Sequence, residues 1–239
     1  MPIQSSGQPL NILVVSSEAV PFAKTGGLAD VVGSLSVEFA KLGHEVSLVI
    51  PRYPFTNLNE YVSEEFARFS VSTPMGPIDT IVERVIRPSL SARRVPGHLT
   101  IFTIRCDRFF DRSDLYQEAG QDYPDNLERF SYFCRAVIEL LLTLHHRSQW
   151  QSGVLHLHDW QTALCAVYLK TLYASYPELV HTRSILTLHN VGYQGVFPGA
   201  EYWKVGLPDA LFSMSSLEYY GLVNVLKGGI VFADFLTTV

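Results

Sequence analysis

The sequence predicts an α/β fold with a doubly wound parallel sheet, and three observations carry that expectation. Residues 11–17 open with the apolar run "NILVV", the kind that a strand buried on both faces of a parallel sheet requires. Residues 28–42 then place Leu28, Val31, Val32, Leu35, Phe39 and Leu42 at helical spacing, and the pattern stops at Gly43. "EVSLVIP" at 45–51 follows as a second apolar strand, so the chain begins with a strand-helix-strand unit.

The other elements follow in order. The segment 1–10, "MPIQSSGQPL", has neither a basic start nor an apolar stretch and reads as a disordered tail. From about 61 to 106 the texture turns β-rich, with "EEFARFSVSTP", "IDTIVERVIR" and "HLTIFTIRC" separated by Met75-Gly76-Pro77 and "PSLSARRVPG". This predicts a β-hairpin excursion at about 62–87 that rejoins the main sheet with a strand at 99–105. Residues 124–148 read as a long helix, 153–158 as a strand, 161–174 as a helix and 184–189 as a strand. Several short helices are expected up to about 233, and "FADFLTTV" then starts one more buried strand at 235–239. No repeat or low-complexity linker interrupts the pattern, so 11–239 reads as one domain. A final strand without a successor element gives the expectation that the chain is a fragment of something longer.

Composition narrows the function classes. With 239 residues, 47% of them hydrophobic, the chain can bury a substantial core. A net charge of −5 provides no overall basic field, so neither nucleic acid nor an anionic membrane is expected as a partner. The densest apolar run, "VIELLLTL", is too short to span a bilayer. Cys106, Cys134 and Cys165 are widely separated with no CxxC spacing, which argues against a disulfide framework or a zinc site and for a cytoplasmic setting.

Three polar clusters, "EAVPFAKTGG", "HLHDWQ" and "LHNVGYQG", each directly follow a predicted parallel strand. In open α/β sheets such positions line one crevice at the carboxyl edge, so the clusters should converge. Gly26 and Gly27, before a helix, would let a phosphate or a hydroxyl-rich sugar approach the backbone, and Lys24 adds a mobile positive charge. The same glycines would equally serve a plain strand-to-helix turn. The loop is neither a phosphate-binding GxxxxGK[ST] nor a dinucleotide GxGxxG motif. Asp30 sits in the first helical turn, where the helix dipole favours a carboxylate whatever its role. Asp159 is a candidate site residue or the N-cap of the helix near Gln161. Because neighbours on a strand point to opposite faces, His158 and Asp159 are not a ready-made dyad. His156 reads as a satisfied core histidine. His189, Asn190, Tyr193 and Gln194 combine a titratable ring, amides and a flexible loop suited to binding hydroxyls.

Together, "KTGGLADVVGSL", "HLHDWQTAL", "LTLHNVGYQGVF" and "VLKGGIVFAD" resemble the N-terminal half of bacterial glycogen synthases and plant starch synthases, from residue 11 onward. The resemblance implies a Rossmann-like domain forming one half of a two-domain GT-B glycosyltransferase. It implies transfer of glucose from ADP-glucose to an α-1,4-glucan (glycogen) acceptor with retention of configuration, the nucleotide-sugar site lying largely in a C-terminal domain absent from this chain. By resemblance Lys24, Asp159 and His189 are the catalytic candidates. Gly26, Gly27, Asp30, Trp160, Asn190, Tyr193, Gln194 and Lys227 are implied to bind substrate. Phe110 of "RFFDR" stands where some relatives have tyrosine, and its ring is expected to stack on a sugar without a hydroxyl contact. No cofactor and no metal is implied, and neither an EF-hand loop nor an HExxH pattern is present. The competing expectation is a stand-alone glucan-binding or regulatory domain without catalysis.

Overall fold

The computed structural model describes residues 8–58, 61–86, 98–150 and 153–239. Its first strand, β1 (Asn11–Val15), lies inside the main sheet with Leu13, Val14 and Val15 fully buried. Leu13 and Val15 join the core on one face, while Ile12 and Val14 join the core on the other. Burial on both faces is why the run has no polar alternation. Helix α1 (Gly27–Lys41) packs Val32 and Ala40 against the second face, and β2 (Glu45–Pro51) pairs with β1 in parallel.

The hairpin is β3 (Val62–Thr73) and β4 (Gly76–Ile86). It does not stand apart from the sheet: β4 pairs antiparallel with β5 (His98–Arg105), which is itself parallel to β2. The expected end of the hairpin at residue 87, the "PSLSARRVPG" connection up to residue 97 and residues 1–7 of the expected tail lie outside the described residues.

A short helix, α2 (Asp107–Phe110), leads into a two-stranded ribbon, β6 (Gln117–Glu118) and β7 (Gln121–Asp122). Helix α3 (Asn126–His146) follows, then β8 (Gly153–His158) and α4 (Trp160–Lys170). Helix α4 stops short of the predicted 174 because Thr171 leaves helical geometry and bonds its hydroxyl to the Val167 carbonyl at 2.7 Å. Strand β9 (Thr182–Leu188) pairs in parallel with β8, as the single connecting helix predicts. Beyond it, β10 (Val196–Pro198), β11 (Glu218–Tyr219) and β12 (Leu222–Asn224) form a small antiparallel sheet. Strands this short carry no readable period, which is why sequence patterning does not announce them. The short helices expected before residue 233 are 3₁₀ turns at Gly199–Val205 and Asp209–Leu211 and helix α5 (Val225–Phe232). Strand β13 (Phe235–Thr238) pairs beside β9 at the edge of the main sheet and is exposed along its length, not buried as expected.

The strand order is β13-β9-β8-β1-β2-β5-β4-β3, parallel from β13 to β5. The chain winds outward from β1 through β2 and β5, then returns to β8 on the other side of β1. That reversal makes the junction of β1 and β8 the switch point, where the loops leaving the strands part and open a crevice. No helix of the described residues is long and apolar enough to cross a membrane.

Candidate functional site

A cavity of about 870 Å³ opens at the carboxyl ends of β1, β8 and β9. Its size suits a small-molecule or oligosaccharide ligand. The three predicted clusters do meet there. Gly26 and Gly27 come from the first, Asp159 and Trp160 from the second, and His189, Asn190, Tyr193 and Gln194 from the third.

His189 is the hub of the wall. The Asp159 carboxylate reaches across from the end of β8 and accepts from the backbone N–H of His189 at 2.8 Å and of Asn190 at 3.4 Å. From the other direction, Nδ1 of His158 lies 2.8 Å from Nε2 of His189. Sequence neighbours at the end of β8 therefore both converge on the residue that follows β9. Asp159 occupies the N-cap position of α4 but makes no side-chain cap bond to the helix. The Thr162 hydroxyl ties the first turn of the helix back to β8, donating to the His158 carbonyl at 2.9 Å and accepting from the His158 N–H at 2.8 Å.

Asp159 holds φ 58° and ψ −173°, a backbone region that favours glycine. Such a conformation costs on the order of 1–3 kcal/mol and persists where the surroundings over-determine it, often at functional sites. Burial raises the Asp159 pKa, against the opposing pull of the His189 N–H. Burial also lowers the pKa of His189, partly offset by the Asp159 charge. His156 is buried and satisfied, its Nε2 2.7 Å from the Thr187 hydroxyl.

Trp160 is a supporting plate at the cavity wall. Its ring meets Phe130 edge-on at 5.2 Å and Phe197 at 5.7 Å. Gly195 (φ 62°) crosses its face so closely that a Cβ there would lie 2.4 Å from the indole. The amides of the third cluster are largely committed to shaping their own loop. Asn190 Oδ1 accepts from Gly192 N–H at 2.9 Å, and Gln194 Oε1 accepts from Asn224 Nδ2 at 2.7 Å. Tyr193, 71% exposed, stands free at the mouth.

Three expectations need correction. Lys24 is not a mobile charge in the cavity. Its ammonium is held by both oxygens of Asp30, at 2.8 and 2.7 Å, and neither residue is part of the cavity lining. Phe110 cannot stack on a sugar, because its ring is fully buried among Tyr53, Tyr132 and Phe133. Lys227 lies off the lining too, with Nζ donating to the carbonyls of Met214 (2.6 Å) and Glu218. Gly26 takes an ordinary extended conformation, and a Cβ on Gly26 or Gly27 would meet no atom within 4 Å. Neither glycine is demanded by the turn itself. What their missing side chains leave open is space on the cavity side.

The structure adds residues that sequence patterning passed over. Glu18, buried at the end of β1, accepts from the Thr25 backbone N–H and from its hydroxyl at 3.0 Å, which pins the glycine loop to the sheet. Tyr116, 2.6 Å from the Ser17 hydroxyl, closes the same corner. The segment before α3 contributes Asp114, Gln117 and Asp122 to the wall, and the first residue of α3 contributes Asn126. Glu18 was visible as a carboxylate directly after a buried strand. The other segment is separated from the end of β5 by the short helix α2 and carries no periodic signal.

The chain matches the family model described as starch synthase catalytic domain over residues 11–239. It is 40% identical over 243 residues to a glycogen synthase of Thermodesulfovibrio yellowstonii, covering 96% of this chain and 47% of that protein. It is 41% identical over 230 residues to a glycogen synthase of Koribacter versatilis, covering 96% and 45%. Among solved structures, the catalytic domain of starch synthase IV from Arabidopsis thaliana, bound to ADP and acarbose, superposes with a TM-score of 0.82 at 29% identity. That match covers 97% of this chain and 45% of the plant chain. The chain thus spans about half the length of the relatives it matches.

Proposed function

The chain belongs to the family of starch synthase catalytic domains, and we propose that it supplies the acceptor side of a retaining glucosyltransferase that extends α-1,4-glucan from ADP-glucose. One observation carries this reading. The cavity wall includes four carboxylates, on Glu18, Asp114, Asp122 and Asp159, and no lysine or arginine among the described lining residues. Carboxylates and backbone carbonyls accept hydrogen bonds from sugar hydroxyls but repel a diphosphate. The wall therefore suits a neutral glucan, and the donor's diphosphate needs positive charge from a second, C-terminal domain closing over the cleft. Lys24, at the rim, can add to that charge by exchanging Asp30 for a phosphate.

Retention through a covalent intermediate requires a carboxylate free to attack the anomeric carbon. Asp159 commits Oδ1 to the N–H groups of His189 and Asn190, and in this reading the carboxylate positions His189 rather than attacking. Front-face displacement fits better: the leaving phosphate takes the proton of the attacking hydroxyl, while fixed dipoles stabilise its charge. This reading calls on no cofactor and no metal. The three cysteines are buried free thiols, which fits a reducing cytoplasm as the compartment.

Affinity electrophoresis in gels containing glycogen tests the acceptor side. Retardation is expected, and it should persist at high salt because the ligand is neutral. Mobility that ignores glycogen over a wide concentration range would overturn the reading. Labelled glucose should enter glycogen only when the second domain is supplied, and robust transfer by this chain alone would refute the division of labour.

In the enzyme so completed, Lys24→Ala should remove a charge-assisted contact worth roughly 1.5–3 kcal/mol, a loss of about 10–150-fold in kcat/KM for the donor. Thermal stability should barely move, because the Lys24–Asp30 pair is half exposed on both sides. A change within about twofold would leave the loop a plain turn.

A further inference from the structure

Two imidazole nitrogens 2.8 Å apart, Nδ1 of His158 and Nε2 of His189, share one hydrogen between them. Burial disfavours charge on both rings, so each is neutral and only two arrangements exist. In one, His189 donates from Nε2, and the proton of His158 must then sit on its own Nε2. That atom is buried and has no hydrogen-bond partner among the described residues. A buried N–H with no acceptor loses its hydration without compensation, and orphaned donors are the rarest defect of native interiors.

We infer that His158 is a positioning residue: it donates its Nδ1–H to Nε2 of His189, so that His189 carries its own proton on Nδ1 and presents that N–H to the cavity. The arrangement leaves only a lone pair at the buried Nε2 of His158. His156 cannot take over the task. Its Nε2 is engaged with the Thr187 hydroxyl, which lies in turn 2.6 Å from that of Thr237. Its ring packs against the face of His158 with centroids 4.4 Å apart, bracing that ring from behind. On the other side, Asp159 fixes the backbone of His189 through its N–H and leaves the ring to His158. Nδ1 of His189 makes no hydrogen bond among the described residues, and His189 lines the cavity. A ligand atom meeting the ring there is thus required to be an acceptor, such as a hydroxyl oxygen.

This inference concerns the wall used by the proposed function, but its test needs no sugar and no second domain, so either can fail alone. Long-range ¹H–¹⁵N NMR of the ¹⁵N-histidine-labelled chain at neutral pH reads the tautomer of each ring directly. His189 is expected as the Nδ1–H form. In His158→Phe its two ring-nitrogen signals should move toward exchanging places, as the ring returns to the Nε2–H form that an imidazole side chain prefers in water. His158→Met, which also lacks the donor, serves if the phenyl ring is not accommodated. A proton on Nε2 of His189 in the parent chain overturns the inference outright, as does an unchanged Nδ1–H signal in either folded variant.

Discussion

Phe110→Ala is expected to lower folding stability by about 3–5 kcal/mol, the range for deleting a large aromatic side chain from a packed core. The ring is fully buried and meets Tyr53 at 5.8 Å and Phe133 at 6.2 Å, both edge-to-face. It also lies 5.0 Å beneath the guanidinium of Arg129, itself fully buried. Arg129 holds the Leu115 carbonyl at 2.8 Å and contacts Asn126 at 3.3 Å, and both Leu115 and Asn126 line the cavity. Losing the ring should therefore also loosen the wall before α3. Urea unfolding should show a lowered midpoint, with weaker glycogen retardation alongside it. A sugar-stacking ring would behave in the opposite way, with binding lost at unchanged stability. A cost below about 1 kcal/mol would remove Phe110 from the core and restore the stacking reading.

Phe110 also shows where the sequence stops being legible. Phe110 ends the four-residue helix Asp107–Phe110, which is too short to have a face that pattern reading can assign. The parallel strands were readable because burial on both faces leaves β1 apolar from Ile12 to Val15, and the polar cluster that follows it has no place but the carboxyl edge. That logic correctly placed Gly26, Asp159 and His189 around one crevice. It failed for Lys24, whose partner lies six residues away across the loop-to-helix junction and is fixed only by the folded path. It found the hairpin, though alternation announces two strands and not the sheet edge they will join, and here they extend the main sheet. In the sequence, His158 figures only as the neighbour of Asp159, a pairing that strand alternation disfavours. Its role depends on the register that sets it beside β9, which no single-chain pattern carries.

The same buried histidines make the fold sensitive to acid. His156 is held down to a pKa of about 4, mainly by burial and further by the charge of His189. Burial, with the charge of His156, holds His158 well below its ordinary value. In the unfolded chain both rings take up protons near 6.5. Between there and about 4 the unfolded state binds more protons than the folded one, so stability falls as pH falls. Each such ring contributes up to about 1.4 kcal/mol per pH unit, and His156 alone about 3 kcal/mol across its window. His98 works the other way, since its bond to Glu45 raises its pKa, but its stabilisation is already complete below 6.5. Asp159, with its raised pKa, offsets part of the loss only toward the acid end of the window. Urea titrations followed by tryptophan fluorescence should therefore give a slope of stability against pH of roughly two protons or somewhat more between about pH 6 and pH 5, with His156 and His158 supplying most of it and His189, which burial also holds down, adding to it. His156→Phe should reduce that slope by close to one proton, even though its stability at neutral pH is lowered by the lost Thr187 contact. A stability profile flat from about pH 7 to pH 5 would mean that these rings titrate freely in the folded protein. The sealed histidine ladder behind the cavity wall would then not exist.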